Sequence, residues 1–184
     1  KFQTSKGYLS IYGIDIPILS DTNSFINEYS YKYYTELYDQ NVSTFGLTLS
    51  SAFSLDDNDI KLSERLFIPG NRLRGFETGK VGPKDGDDFI GGNYLATLNF
   101  SSTLPQLLPN SQNTDISFFI DVANVWGVDY DSSLDDSNEV RSSIGIALDW
   151  FSVIGPMSFS LAQPVSKGTN DISETFRFNI GTSF

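Results

Sequence analysis

The sequence has no cysteine and no histidine, and it is poor in cations, with 12 Lys and Arg against 23 Asp and Glu. Without cysteine it can form neither a disulfide framework nor a thiolate. The common zinc-ligand sets and the Ser–His arrangements also lose their usual parts, which leaves carboxylates, Lys, Ser and Thr. We therefore predict no catalytic residue, no metal and no cofactor. The net charge of −11 predicts no nucleic-acid partner, because phosphates would be repelled.

Long hydrophobic runs are missing too. No stretch approaches the roughly 18–20 apolar residues of a membrane-spanning helix, which excludes a helical membrane protein. A membrane β-barrel stays possible, because each of its strands needs only about ten residues with alternate positions apolar. The composition, 39% hydrophobic with 14% aromatic, favours many short, half-exposed strands. The chain begins at Lys1 without a start methionine or a signal sequence, which suggests a mature product or an excised fragment.

Apolar residues alternate with small or polar ones along most of the chain, which is the period of β-strands. The pattern predicts strands at residues 6–19, 25–37, 44–55, 93–104, 116–126, 140–151, 157–161 and 174–184. In residues 116–126 it places Phe119 and Asp121 on the polar face and Ile120 on the opposite, apolar face. An aspartate within a strand is costly unless it faces water or a cation, so we expect one of these beside Asp121.

The connections between the predicted strands differ in length and polarity. Residues 56–59 and 129–139 are acidic, and we interpret both as solvated loops because the first lacks the calcium-loop spacing. The turn at residues 153–156 is tight and apolar. Short turns at one rim and long polar loops at the other are typical of outer-membrane barrels. The alternating Tyr29, Tyr31 and Tyr33 suit a bilayer interface or general packing, and a sugar-binding surface is the other interpretation.

The longest polar connection, residues 66–92, is named the long loop. It carries Leu73, Arg74, Gly75 and Phe76 in succession, which we name the docking motif. An arginine can pair with a carboxylate or stack on a ring, a glycine permits positive φ, and a phenylalanine can fill a pocket. A chance surface turn is the other interpretation. A phosphate loop at residues 75–80 is rejected, because Val81 stands where Ser or Thr must hold magnesium.

Several short motifs, taken in order, point to one family. They are Leu73-Arg74-Gly75-Phe76, Gly82-Pro83, Gly91-Gly92-Asn93, Phe118-Phe119-Ile120-Asp121, Val125-Trp126, Arg141 to Ala147, Gly155-Pro156 to Pro164, and the closing Phe176 to Phe184. Over residues 62–184 this set resembles the C-terminal half of the BamA-type outer-membrane barrel insertases of the surface-antigen superfamily. The docking motif is similar to the Val-Arg-Gly-Phe/Tyr of the family's sixth extracellular loop, with Leu73 in place of valine.

The resemblance implies an all-β fold, an antiparallel transmembrane β-barrel of which about eight strands are present as the C-terminal half of a sixteen-stranded barrel. Residues 1–184 would be one barrel segment, and the first barrel half and the upstream POTRA domains would lie outside it. The resemblance also implies that Arg74 folds into the lumen to meet Phe119 and Asp121. Asn99 stands where some members have a glutamate, which would leave Asp121 as the principal counter-charge.

The resemblance implies a function as well, the folding and insertion of β-barrel proteins into the bacterial outer membrane, without enzymatic activity. The implied partners are outer-membrane lipids, unfolded β-barrel clients and accessory lipoproteins. The C-terminal strand would carry the assembly signal and one side of a lateral gate, through Phe176, Phe178, Ile180, Gly181 and Phe184. The other hypotheses are a translocator for autotransporters or secreted polypeptides, a passive outer-membrane pore, a soluble carbohydrate-binding β-sandwich, and an enzyme without a Ser–His pair.

Overall fold

The computed structural model describes residues 24–55, 59–107, 113–129, 134, 138–153 and 155–181, together with the backbone of 2–4, 8–11 and 14–17. Its strands are β1 Phe2–Thr4, β2 Tyr8–Ile11, β3 Ile14–Pro17, β4 Ser24–Thr35, β5 Ser43–Ser54, β6 Lys84–Asp85, β7 Asp88–Phe89, β8 Tyr94–Thr103, β9 Thr114–Trp126, β10 Arg141–Ser152, β11 Gly155–Ser166 and β12 Phe176–Ile180. Short 3₁₀ helices cover Leu62–Glu64 and Pro105–Leu107. Within the described ranges, no helix is long and apolar enough to cross a membrane.

Eight of the strands form one antiparallel sheet in the order β1-β4-β5-β8-β9-β10-β11-β12. Consecutive long strands pair with each other: β4 with β5, β5 with β8, β8 with β9, β9 with β10, and β10 with β11. The register places Asn99 of β8 opposite Asp121 of β9, and Asp121 opposite Ser143 of β10. Residues from three neighbouring strands are thereby brought to one point on one face of the sheet.

The alternation along the strands separates two faces with different side chains. The outer face carries exposed apolar residues, among them Phe45, Leu49, Leu98, Ile144 and Ile146. The inner face carries small and polar residues that are buried, among them Thr48, Thr97, Asp121, Ser143 and Ala147. The prediction that apolar and polar residues of these strands lie on opposite faces is therefore confirmed. An apolar outer face with a polar interior is the pattern of a membrane barrel.

Aromatic side chains pair across neighbouring strands on the outer face. The ring centroids of Phe45 and Phe100 lie 4.7 Å apart, those of Phe100 and Phe118 5.4 Å, and those of Tyr94 and Trp126 5.8 Å. Cross-strand aromatic pairs add roughly 0.2–1 kcal/mol each to a sheet. They fix the register that the inner face depends on.

The connections follow the predicted division into two rims. Residues 55–93, 127–140 and 167–175 link strands at one rim, while residues 36–42, 104–113 and 153–154 link them at the other. The longest of these connections covers the inner face, and it contains the small hairpin of β6 and β7. The long loop is therefore an ordered plug rather than a solvated excursion.

The prediction of a single strand at residues 6–19 is wrong. Strands β2 and β3 pair with each other, with Tyr8 opposite Pro17, and form a separate two-stranded sheet. Only two residues, one of them Gly13, separate the two strands in the sequence, and such a spacing favours a hairpin. The strand that pairs with β4 on the side away from β5 is β1.

Candidate functional site

The docking motif lies against the inner face of the sheet, where Arg74 contacts Asp121. The Arg74 Nε donates to Asp121 Oδ2 at 2.8 Å, and Nη2 donates to Oδ1 at 2.9 Å. The pairing is bidentate, the arrangement in which an arginine and a carboxylate match each other's geometry. The backbone N–H of Arg74 also donates to Oδ2 at 3.1 Å, so the carboxylate holds the loop backbone as well as the side chain.

Asp121 is fully buried, and its carboxylate is satisfied by neighbours from two parts of the chain, the long loop and β8. It accepts a fourth hydrogen bond, at 2.8 Å, from Asn99 Nδ2 on the adjacent strand. The same Asn99 amide donates to the Arg72 carbonyl at 2.7 Å. A buried carboxylate without such partners would cost several kcal/mol. Asn99 thus supplies a donor to Asp121 rather than a second negative charge to Arg74.

Phe119 contributes an aromatic face beneath the guanidinium. The Arg74 Cζ atom lies 3.4 Å from the centroid of the Phe119 ring, and the ring itself is fully buried. A guanidinium over an aromatic face gains about 2 kcal/mol where it is desolvated. The strand places Phe119 and Asp121 two residues apart on the same face, so one side chain stacks while the other pairs.

Three residues of the docking motif position it on the inner face. Gly75 does so through its backbone conformation, and Leu73 and Phe76 do so through apolar packing. Gly75 has φ of +89°, and a Cβ at that position would lie 3.2 Å from the Cβ atoms of Ala162 and Ser143. Leu73 and Phe76 are buried in one cluster. The other members of that cluster are Ile68, Val81, Leu95, Ala123 and Val125. The loop therefore brings its own apolar residues to the inner face instead of exposing them.

Other arginines tie the long loop and its neighbours, and the sequence alone did not indicate them. Arg141, the first residue of β10, is fully buried, and its Nε donates to Asp171 Oδ2 at 2.8 Å. Asp171 also accepts the Gly82 backbone N–H at 3.2 Å and so holds the long loop to residues 167–175. The alternation of side chains along β10 is enough to place Arg141 on the inner face. Its partner was not, because Asp171 lies in a connection.

Arg65, just before the long loop, pairs with Asp129 in the connection after β9. Burial would raise the pKa of the Asp129 carboxyl, but hydrogen bonds from Asn93 and from the Ile60 N–H, with the charge of Arg65, outweigh it and lower that pKa. The carboxyl is therefore ionised at neutral pH. Among the described residues, no group of three or more Asp and Glu side chains is placed to hold a metal ion.

The residues assigned to the C-terminal strand lie apart from the docking motif. Phe176, Phe178 and Ile180 are exposed on the outer face, at 54%, 40% and 62%, and Gly181 follows with φ of +97°. Phe184 lies outside the described residues. The inner face of the same strand carries Arg177, which the sequence had not singled out.

Comparisons with known proteins agree with this architecture. A model of the Omp85 superfamily domain matches residues 1–184. The outer membrane protein assembly factor BamA of Neorickettsia risticii is 28% identical over 155 residues, covering 82% of this chain and 21% of that protein. The corresponding BamA of Neisseria meningitidis serogroup B is 31% identical over 139 residues, covering 61% of this chain and 17% of that protein.

A solved structure is similar as well. The crystal structure of BamA from Haemophilus ducreyi lacking POTRA domains 1–3 is 29% identical, with a TM-score of 0.79, over 89% of this chain and 36% of that chain. This chain spans about a fifth of the length of the curated relatives it matches. The likeness therefore concerns one segment of a larger protein.

Proposed function

Because the chain belongs to the Omp85 superfamily, we propose that the whole protein folds and inserts β-barrel proteins into the bacterial outer membrane. The chain itself is part of an antiparallel barrel located in that membrane. The proposed partners are outer-membrane lipids, unfolded β-barrel clients and accessory lipoproteins. The first half of the barrel and POTRA domains would precede this segment.

The observation that carries the proposal is the docked long loop, with Arg74 held by Asp121 inside the sheet. Docking fills the inner face and braces β8 and β9 through a single carboxylate, which binds both the loop and Asn99. Bracing of the sheet matters because lipid supplies no hydrogen bonds to backbone groups that become unpaired. A braced sheet would let the edge beside β12 open while the other strands of the barrel stay paired.

The proposed chemistry is hydrogen-bond exchange and requires no catalytic residue. Among the described strands, β12 pairs with β11 alone, so the backbone groups on its other side are available to a further strand. An incoming client strand would take those hydrogen bonds by strand addition. The exposed Phe176, Phe178 and Ile180 would keep the outer side of this edge in contact with lipid.

The test uses the full-length protein in lipid vesicles with an unfolded β-barrel client, and folded client is followed by its gel mobility. We expect Arg74→Ala to slow client folding about tenfold or more, because Asp121 is left buried with part of its partners removed. Arg72→Ala is the matched control, since Arg72 lies in the same loop and makes none of the ion pairs found among the described residues.

Two outcomes would count against different parts of the proposal, the first against the role of the docked loop and the second against the activity itself. If client folding is equally fast with Arg74→Ala and with the wild-type protein, docking of the loop through Arg74 is not required for the activity. A protein that passes a secreted polypeptide across the vesicle membrane, yet leaves the barrel client unfolded, would identify a translocator instead.

A further inference from the structure

The terminal strand is held to the sheet by a short ladder. Among the described residues, the ladder joins Phe176–Ile180 to Met157–Leu161, and one backbone hydrogen bond extends it at either end, whereas β11 itself runs over Gly155–Ser166. A strand of this length at a sheet edge frays readily, because few contacts and hydrogen bonds oppose its opening. Further contacts are needed if the edge is to be ordered.

The long loop supplies contacts to the residues just before β12. The Glu77 N–H donates to the Ile172 carbonyl at 2.9 Å, and the Ile172 N–H donates to the Lys80 carbonyl at 3.1 Å. The Glu174 N–H donates to the Gly75 carbonyl at 3.0 Å. Residues 75–80 therefore run beside residues 172–174 as a strand would. The docking motif and the residues just before β12 belong to one hydrogen-bonded unit.

Arg177 joins β12 itself to that unit. From the inner face of β12, its guanidinium donates to the carbonyls of Gly70 and Phe76, the latter at 2.5 Å. These two carbonyls lie on either side of Arg74 in the sequence. The Nε atom of Arg177 donates to Glu174 Oε2 at 2.8 Å, and the side chain is mostly buried. A guanidinium can reach both carbonyls because its donors form a planar fork, which an ammonium does not have.

Gly70 shows how closely the loop and the strand are fitted. A Cβ on Gly70 would lie 2.4 Å from Arg177 Nη1 and 2.4 Å from Thr78 Oγ1, so no side chain can be placed there without displacing Arg177. Beside this contact lies an open cavity of about 510 Å³, lined from the loop by Asn71 and Thr78 and from the strand by Arg177 and Asn179. The loop and the terminal strand share this surface.

We propose that Arg177 is a positioning residue that couples docking of the long loop to the order of the terminal strand. With Arg74 seated on Asp121, the carbonyls of Gly70 and Phe76 are held where Arg177 can bind both. Release of Arg74 would free these carbonyls, and β12 would then depend on its short ladder alone. The inference rests on the proposed function in that β12 is the strand beside the site of client entry.

The test measures amide hydrogen exchange of β12 in the full-length protein in lipid vesicles, without a client. We expect Arg74→Ala to raise exchange in β12 about tenfold when Arg177 is present, and less than about twofold in the Arg177→Ala background. An arginine with only a local structural effect would give additive changes. Asn179→Ala, on the same face of the same strand, is the matched control and should leave exchange unchanged.

Two further variants separate the loop contact from the ion pair with Glu174. Arg177→Lys keeps the charge near Glu174 but cannot bind both carbonyls, so we expect exchange close to that of Arg177→Ala. Gly70→Ala displaces the Arg177 side chain by a change in the loop, so it should raise amide exchange in β12. It therefore tests the same contact if Arg177→Ala folds poorly. Wild-type exchange in Arg177→Lys, or additive effects of Arg74→Ala and Arg177→Ala, would overturn the inference.

Client folding is then measured on the same samples. If the wild-type protein folds clients and the exchange effects are additive, the coupling through Arg177 is refuted while the proposed function stands. If exchange is coupled and no client folds, the proposed function fails and the coupling stands.

Discussion

At the scale of single residues, Asp121 decides the geometry of the site. Moving one charge out of water costs several kcal/mol, and a bidentate partner with further hydrogen bonds does little more than offset that cost. The Arg74–Asp121 pair is therefore better understood as fixing the position of the loop than as a large net source of stability. The cost of losing one partner is large, because Asp121 has no contact with solvent.

Gly75 offers a test of how tightly the motif must fit. We expect Gly75→Ala to destabilise the docked loop by roughly 2 kcal/mol or more, because an L-residue at φ of +89° is strained and its Cβ would crowd Ala162 and Ser143. Urea unfolding of the full-length protein in lipid measures the change.

Gly79→Ala is the control for Gly75→Ala. Gly79 also has positive φ, +75°, but a Cβ there would meet nothing within 4 Å. Its substitution carries the backbone strain without the crowding, so the difference between the two variants isolates the contact with β10 and β11. Equal effects of the two substitutions would show that close packing of Gly75 contributes nothing.

At the scale of elements, contacts with charged side chains hold the long loop and the segment just before it. Arg65 and Asp129 pair before it, Arg74 and Asp121 within it, and Asp171 binds Gly82 near its end. Each contact joins the loop to a different strand or connection. A loop held in this way is ordered by tertiary contacts, because its local sequence is rich in glycine and charge.

The Arg65–Asp129 contact predicts a pH dependence. The pKa of Asp129 is lowered in the folded protein from its ordinary 3.8, so the contact contributes stability above 3.8 that is lost as pH falls through the lower, folded value. Amide exchange in residues 59–66 should therefore rise as pH is lowered through this range, after correction for intrinsic exchange.

Asp129→Asn is the control for that pH dependence. It removes the titrating group, so exchange in residues 59–66 should be high at neutral pH and should change little on acidification. If the wild-type and Asp129→Asn proteins show the same pH profile, another group governs the opening of this segment.

The strands illustrate what alternation alone can and cannot predict. The alternation of side chains along the strand placed Phe119 and Asp121 on the inner face, because a period of two leaves no other choice once the apolar face is known. The same rule failed at residues 6–19, where a hairpin and a single strand have the same alternation. The difference lies in the pairing, because residues 8–11 pair with residues 14–17 while β1 pairs with β4, and alternation does not report which strands pair.

At the scale of the whole molecule, the sheet separates an apolar exterior from a polar, loop-filled interior. The exposed outer residues would be an aggregation hazard in water, and they are the expected surface toward lipid. Among the described residues, Asp59, Asp85, Asp87, Asp88, Asp129 and Glu139 lie in the connections of the eight-stranded sheet. These carboxylates therefore lie outside the strands that would cross the hydrocarbon layer.

Substitution by lysine should lower the stability of the protein on the outer face and leave it nearly unchanged on the inner face. Ile146, half-exposed on the outer face in the middle of β10, should lose about 2–4 kcal/mol of stability in Ile146→Lys, because the charge would enter hydrocarbon. Ser30 lies on the inner face of β4, the face that also carries Lys32 two residues along the strand. Ser30→Lys should change stability by no more than about 0.5 kcal/mol.

Unfolding of the full-length protein in lipid vesicles measures both variants. A similar loss of stability for Ile146→Lys and Ser30→Lys would mean that the outer face does not meet hydrocarbon. A loss for Ile146→Lys alone would agree with the barrel orientation.

The sequence by itself determined most of the strands and the face that each of their side chains occupies, because these follow from a period of two, and the entry of the docking motif into the interior was implied by the family resemblance. The tertiary structure alone decided the partners: Asp171 for Arg141, Asp129 for Arg65, and the loop carbonyls for Arg177. Those contacts join residues far apart in the chain, and most of their acceptors lie in connections or on the backbone. No periodicity marks such positions, so only the folded arrangement of loop and sheet brings them together.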